Sequence, residues 1–169
     1  MITYALDPFY YVIIGVIVCC FLYIIFCYYA VVLAKNAKVT KMLKEYLTTN
    51  NISYKLTKSK QCDYVLKIND KEYLVKIADV KKNSELQIGV TKSVVMFYNN
   101  ITNTLKSREI DEASEFIKQE SKNKIILLNA KVKSIVYNKN ELEVVTLKDK
   151  EVYQNTLFIN FDNFENIIK

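Results

Sequence analysis

The sequence predicts an α/β (α+β) protein: an N-terminal transmembrane helix followed by one small domain in which helices flank a mixed β-sheet. Three observations predict it. Residues 9–33 contain no charged side chain. Several short runs rich in β-branched and aromatic residues are separated by Asn- and Asp-containing links, the signature of strands and hairpins. Between them, other stretches repeat apolar residues at helical spacing.

The anchor comes first. FYYVIIGVIVCCFLYIIFCYYAVVL, residues 9–33, would make roughly 37 Å of helix at about 1.5 Å per residue. A bilayer core of about 30 Å is crossed by such a helix with some tilt. Tyr10, Tyr11, Tyr28 and Tyr29 fall near its ends, where amphipathic rings favour the headgroup level. A core helix of a soluble domain would have to bury this run on every side. A cleaved signal peptide would carry a basic leader and an apolar core of about 7–15 residues. Residues 1–8, MITYALDP, hold Asp7 and no Lys or Arg. An uncleaved anchor is therefore expected, with Pro8 in its first turn. Lys35, Lys38, Lys41 and Lys44 follow it, so the positive-inside rule places residues 1–8 outside and the C-terminal part in the cytoplasm.

Charge follows the same division. Residues 35–82 hold twelve lysines against five acids, a net +7, whereas residues 83–169 balance at twelve each. Anionic lipid headgroups account for a basic excess beside a membrane, with Lys35, Lys38, Lys41 and Lys44 as the membrane-surface residues. Nucleic acid would use the same charges. Of the four cysteines, Cys19, Cys20 and Cys27 lie in the span and only Cys62 outside it, which fits a reducing compartment. The chain has no His, which excludes His-dependent triads, and with one Cys outside the span it lacks the ligands of an N/S zinc site. Gly15 and Gly89 are its two glycines, so there is no phosphate-cradling P-loop.

The remaining elements follow in order. NAKVTKMLKEYLTT (36–49) puts Val39, Met42, Leu43, Tyr46 and Leu47 on one face, predicting a basic juxtamembrane helix within 34–51 that Asn50-Asn51 can end. The cytosolic domain is expected over 52–169. ISYKL reads as a strand. DYVLKI and EYLVKIA flank Asn69-Asp70-Lys71 as a hairpin, and apolar residues on both faces place it centrally in the sheet. ELQIGV is a short strand. SVVMFYNNITNTLK (93–106) carries a helical stripe at Val94, Phe97, Tyr98, Ile101 and Leu105. EIDEASEFIKQE (109–120) is a second helix, with acids at its start and Lys near its end complementing the dipole. KIILLNA is a buried strand, KSIVY and ELEVVTL a hairpin around Asn138-Lys139-Asn140, LFINF a strand and FENIIK a short helix.

The order helix, strand, hairpin, helix, strand resembles the core of the restriction-endonuclease-like nucleases, whose motif is written PD-(D/E)xK. The stretch CDYVLKINDKEYLVKIAD, residues 62–79, is similar to their metal-binding hairpin, and the resemblance covers roughly residues 38–130. It implies a site in which two carboxylates on adjacent strands hold Mg²⁺. A Lys two positions beyond the second acid, on the same strand face, positions the attacking water. Asp63 matches the first acid and metal ligand. If Lys76 is the catalytic Lys, the second acid position is Leu74. If the family's YLVEVK line is laid on residues 73–78, Lys76 takes the acid position and Ala78 the Lys position. The flanking residues favour the second alignment. Either way the second acid is missing, and Cys62 stands where the family has Pro. Glu45, Asp79 and Glu85 are the candidate migrated acids.

Three functional readings follow. The first is a single-pass anchored protein whose nuclease-like domain does not catalyse but acts in binding or assembly at the membrane surface, without a cofactor. The second is an active Mg²⁺-dependent endonuclease with a migrated acid. The third is an accessory subunit of a larger membrane complex, with membrane proteins as partners.

Overall fold

The computed structural model describes residues 8–89, 92–99, 102–121, 123–139, 143–161 and 163–167. Asp7, Ile101 and Asn140, which figure in the sequence reading, lie outside the described residues. The chain divides into two compact units, Met1–Lys35 and Asn36–Lys169. Helix α1 runs Pro8–Thr49 and contributes to both.

In the first unit α1 exposes its large apolar side chains, with Phe26 at 70%. It is the one helix among the described residues long and apolar enough to cross a membrane. A core helix would show the opposite pattern of burial.

The second unit contains two sheets. The first is formed by β1 (Tyr54–Lys58), β2 (Tyr64–Ile68), β3 (Lys71–Ala78), β7 (Lys124–Leu128), β11 (Thr156–Ile159) and β10 (Val152–Tyr153), in that spatial order. β1, β2 and β3 form an antiparallel meander, while β3, β7 and β11 run parallel. The second sheet has the order β6 (Thr104–Glu109), β5 (Val94–Asn99), β4 (Glu85–Ile88), β8 (Ser134–Asn138) and β9 (Val144–Thr146). Helix α2 (Asp111–Lys118) precedes β7, and a 3-10 turn, Phe164–Ile167, ends the described chain.

The turns show how a chain with two glycines folds tightly. Ile68 pairs with Lys71, leaving Asn69-Asp70 as a two-residue hairpin turn, and both have positive φ (45° and 66°). That is the demand of a type I′ turn, which Asn and Asp tolerate best after Gly. Gln154-Asn155 does the same between Tyr153 and Thr156. Asn51, at φ 54°, follows the end of α1.

Two apolar layers cover the first sheet. On one side Val39, Leu43 and Leu47 of α1 meet Leu66, Val75, Ile77, Ile125, Leu127 and Ile159. On the other, Ala78, Ile126, Leu128 and Phe158 meet Ala113, Phe116 and Ile117 of α2 and Leu86, Ile88, Val95 and Ile135 of the second sheet. The period-two alternation of β3 and β7 sends their side chains into both layers. Burying Val39, Leu43 and Leu47 is worth on the order of 5–9 kcal/mol. A whole domain of this size is stable by about 5–15 kcal/mol. Residues 36–49 are thus an integral layer of the folded unit as well as the segment that follows the apolar run.

Two expectations are corrected. Within the stretch expected to be a helix over 93–106, the described residues instead form β5 and the start of β6, an antiparallel pair with Val94 opposite Glu109 and Asn99 opposite Thr104. Val, Met, Phe and Tyr fit both periodicities, but Val95, off the helical stripe, is fully buried, and Asn103 takes positive φ in the connection. β-branched and aromatic residues then favour the pleat. The domain also has two sheets rather than one. β4 pairs with β8 instead of joining β3, and the second sheet covers a face that helices were expected to cover.

A fragment starting at Asn36 is expected to fold, and one starting at Ile52 to aggregate because it lacks the α1 layer. Circular dichroism and size-exclusion chromatography of the two fragments check this. Leu43→Ala in the longer fragment should cost about 2–5 kcal/mol in urea unfolding.

Candidate functional site

β3 is an interior strand, and its residues Leu74, Lys76 and Ala78 share the face that looks toward α2. Asp63 stands just before β2, beside the point where β2 and β3 cease to pair at Tyr64 and Val75. Its carboxylate replaces the ladder there, Oδ2 accepting a hydrogen bond from the Ile77 backbone N–H at 2.7 Å. Its other oxygen, Oδ1, lies 3.8 Å from Lys76 Nζ. Lys76 reaches further, to Glu112 Oε2 at 2.7 Å. Glu112 is the second residue of α2, where the helix dipole favours an acid.

Lys76 therefore bridges two carboxylates from different elements. Its side chain is 20% exposed, that of Glu112 75%. Burial works to lower the Lys76 pKa, but the Glu112 hydrogen bond and the charges of Asp63 and Glu112 outweigh it and hold the ammonium above its ordinary range.

The other candidate acids have separate partners. Glu45 is exposed on α1 and pairs with Lys41 one turn away at 3.7 Å. Glu85 Oε2 accepts from the Ser134 hydroxyl at 3.0 Å, tying β4 to β8. Asp79 follows β3 and receives Arg108 Nη1 at 2.9 Å and Asn129 Nδ2 at 2.8 Å. Arg108 also donates to the Asp79 carbonyl. Cys62 is buried and donates its thiol to the Tyr64 carbonyl at 3.1 Å. Lys35, Lys38, Lys41 and Lys44 are all exposed on α1.

The sequence reading missed Glu112. The acids at the start of the 109–120 helix were visible, but only as complements to its dipole; no local pattern indicates that one faces β3. It also missed Lys124, buried at 3% exposure at the start of β7. Lys124 Nζ donates to the Ile117 carbonyl and, at 2.8 Å, to that of Gln119, closing the C-terminal end of α2. Two lysines of the first sheet thus hold α2, Lys76 near its start and Lys124 at its end. Burial lowers the Lys124 pKa.

The cluster fits a divalent cation poorly. Mg²⁺ demands near-octahedral oxygen ligation. Here one oxygen of Asp63 is engaged by a backbone N–H, and an ammonium sits between the two carboxylates. Among the described residues, no three His, Cys, Asp or Glu side chains converge as a metal site.

No protein-family model matches the chain, and no curated protein and no solved structure is significantly similar to it.

Two stability measurements test these roles. Asp63→Ala should cost about 1–3 kcal/mol by orphaning the buried Ile77 N–H, whereas Asp63→Asn keeps an acceptor and should cost less than about 1 kcal/mol. Equal costs in urea unfolding at neutral pH would show that Asp63 does not carry this bond. Lys124 titrates in the folded protein below its ordinary 10.5. Between the folded value and 10.5 the unfolded chain binds more protons, so stability rises with pH through that window. The Lys124 contribution is complete above 10.5 and is lost as pH falls through the folded value. Lys76, raised instead, adds no slope below 10.5. Urea unfolding followed as pH is raised toward 10.5 should show a rise in stability that Lys124→Met lacks.

Proposed function

We propose that this chain is a single-pass membrane protein whose nuclease-like domain works in binding or assembly at the membrane surface and does not catalyse. The observation that carries the non-catalytic reading is the Lys76 bridge. A nuclease of the resembled kind brings two carboxylates together to bind a metal, and here Asp63 and Glu112 neutralise a built-in ammonium instead. The sequential order α1, β1, the β2–β3 hairpin, α2, β7 supports the nuclease-like description of the domain, with β4–β6 as an insertion.

The charge-free span and the lysines after it support the orientation, with residues 1–8 outside and the domain in the cytoplasm. Lys35, Lys38, Lys41 and Lys44 would meet anionic lipid, at about 1 kcal/mol per lysine close to the surface. The fragment 36–169 is expected to sediment with anionic vesicles at low salt and to stay in solution with neutral ones. Equal behaviour with both would remove the lipid contact.

A second reading, a Mg²⁺-dependent nuclease, is favoured by the same convergence of carboxylates, since Asp63 and Glu112 both approach one point. It requires Lys76 to leave that point. The purified domain with Mg²⁺ or Mn²⁺ is expected to leave DNA intact. Cleavage abolished by Asp63→Asn, a change chosen to spare the fold, would establish the enzyme instead. Co-purification with a fixed partner after mild detergent extraction would identify an accessory subunit.

A further inference from the structure

We infer that the loops leaving the carboxyl ends of β3 and β7 form a second contact with anionic lipid headgroups, made by Lys81, Lys82 and Lys133. The inference rests on the membrane-anchored reading and adds a surface that the basic stretch after the span does not contain.

Asn129 carries the geometry. It is 6% exposed, and its side chain joins three segments. Its Oδ1 accepts from the Val80 N–H at 2.9 Å, and its Nδ2 donates to Asp79 Oδ1 at 2.8 Å and to Asn36 Oδ1 at 3.1 Å. The loop after β3 and the loop after β7 are thus both fixed to Asn36, the first residue of the folded unit. Asn36 is three residues beyond the apolar run 9–33, at most about 10 Å of chain in any conformation. The two loops are therefore tethered, through Asn36, within three residues of the end of the apolar run that the membrane-anchored reading places in the bilayer.

The loops are also braced against each other. The Asn83 N–H donates to the Lys131 carbonyl at 2.8 Å and the Lys133 N–H to the Ser84 carbonyl at 2.7 Å. Ser84 Oγ donates to the Lys81 carbonyl at 2.6 Å, and Asn83 takes positive φ, 60°. Lys81, Lys82 and Lys133 are exposed on this frame, with the Lys81 ammonium 4.2 Å from the centroid of the Phe97 ring. The acid of these loops, Asp79, already faces Arg108 and Asn129. What the frame presents outward is cationic, and a charged surface acts over one Debye length, about 8–10 Å at ordinary ionic strength. A fluid array of anionic headgroups suits such dispersed lysines. Duplex nucleic acid is the competing polyanion.

Lysine footprinting of the full chain tests this. The protein is placed in nanodiscs of neutral lipid or of neutral lipid with phosphatidylserine, treated briefly with an amine-acylating reagent, and digested for mass spectrometry. Lys71 is the internal control: it begins β3, about 23 Å from the strand's other end at about 3.3 Å per residue. Lys81, Lys82 and Lys133 should react about threefold or more slowly on the anionic discs, Lys71 at an unchanged rate, and the difference should vanish at high salt. Protection of Lys35 and Lys38 alone would overturn the inference and leave the anchored reading standing. Protection at neither group would overturn the inference and remove the lipid contact of the α1 lysines with it. Protection of the three loop lysines by added duplex DNA on neutral discs, with none from anionic lipid, would overturn it in favour of a nucleic-acid surface.

Discussion

Five consecutive buried residues, Lys124–Leu128, hold the folded unit together. β7 lies between β3 and β11, parallel to both, so its backbone is satisfied on either side and its side chains enter both apolar layers. Ile125 and Leu127 face the α1 layer, Ile126 and Leu128 the layer under α2 and the second sheet. The polar residues at its two ends are as constrained as its middle. Lys124 closes the end of α2, and Asn129 fixes the loops beyond the sheet to Asn36. A polar group in such a position must be hydrogen-bonded or it costs several kcal/mol. Both are, and the bonds they make place α2 and the loops.

The Lys76 cluster shows how small a change separates a metal site from an ion-pair clamp. Two carboxylates that converge repel each other unless a cation lies between them. A divalent ion supplies that charge from solution and can polarise a bound water or phosphate. An ammonium on β3 supplies it from within the chain, while helping to hold α2 on the sheet. Because Glu112 is largely exposed, the pair adds little stability by itself. Its consequence is positional: it sets what stands between Asp63 and the helix.

Basic charge in this protein is arranged in space more than in sequence. The net +7 of residues 35–82 is a property of the linear chain, but Lys133 comes from the otherwise balanced second half. The hydrogen bonds between the two loops bring it beside Lys81 and Lys82. A surface built this way requires the folded domain, whereas the lysines on α1 require only the helix.

Much of the fold was legible because its signals are local. The long apolar helix follows from a charge-free run, since transfer energies sum residue by residue. The α1 stripe, α2, the β2–β3 hairpin and the β7 run follow from periodicity and from Asn and Asp at positive φ. Residues 93–106 were not legible in this way. Their apolar residues fit a helix and a strand equally well, and burial of Val95 against the rest of the core decided between them. The second sheet joins Glu85 to Ser134 across 49 residues, a pairing that no local pattern encodes. The site divides along the same line. Asp63 and Lys76 were identified because they share a hairpin, and Glu112 was not because it reaches Lys76 only once α2 has docked. The sequence by itself determined the long apolar helix, the elements with one strong period and the tight turns, all set by neighbours in the chain. Only the tertiary structure decided which strands share a sheet and which charge faces Lys76, because both depend on burial between segments far apart in sequence.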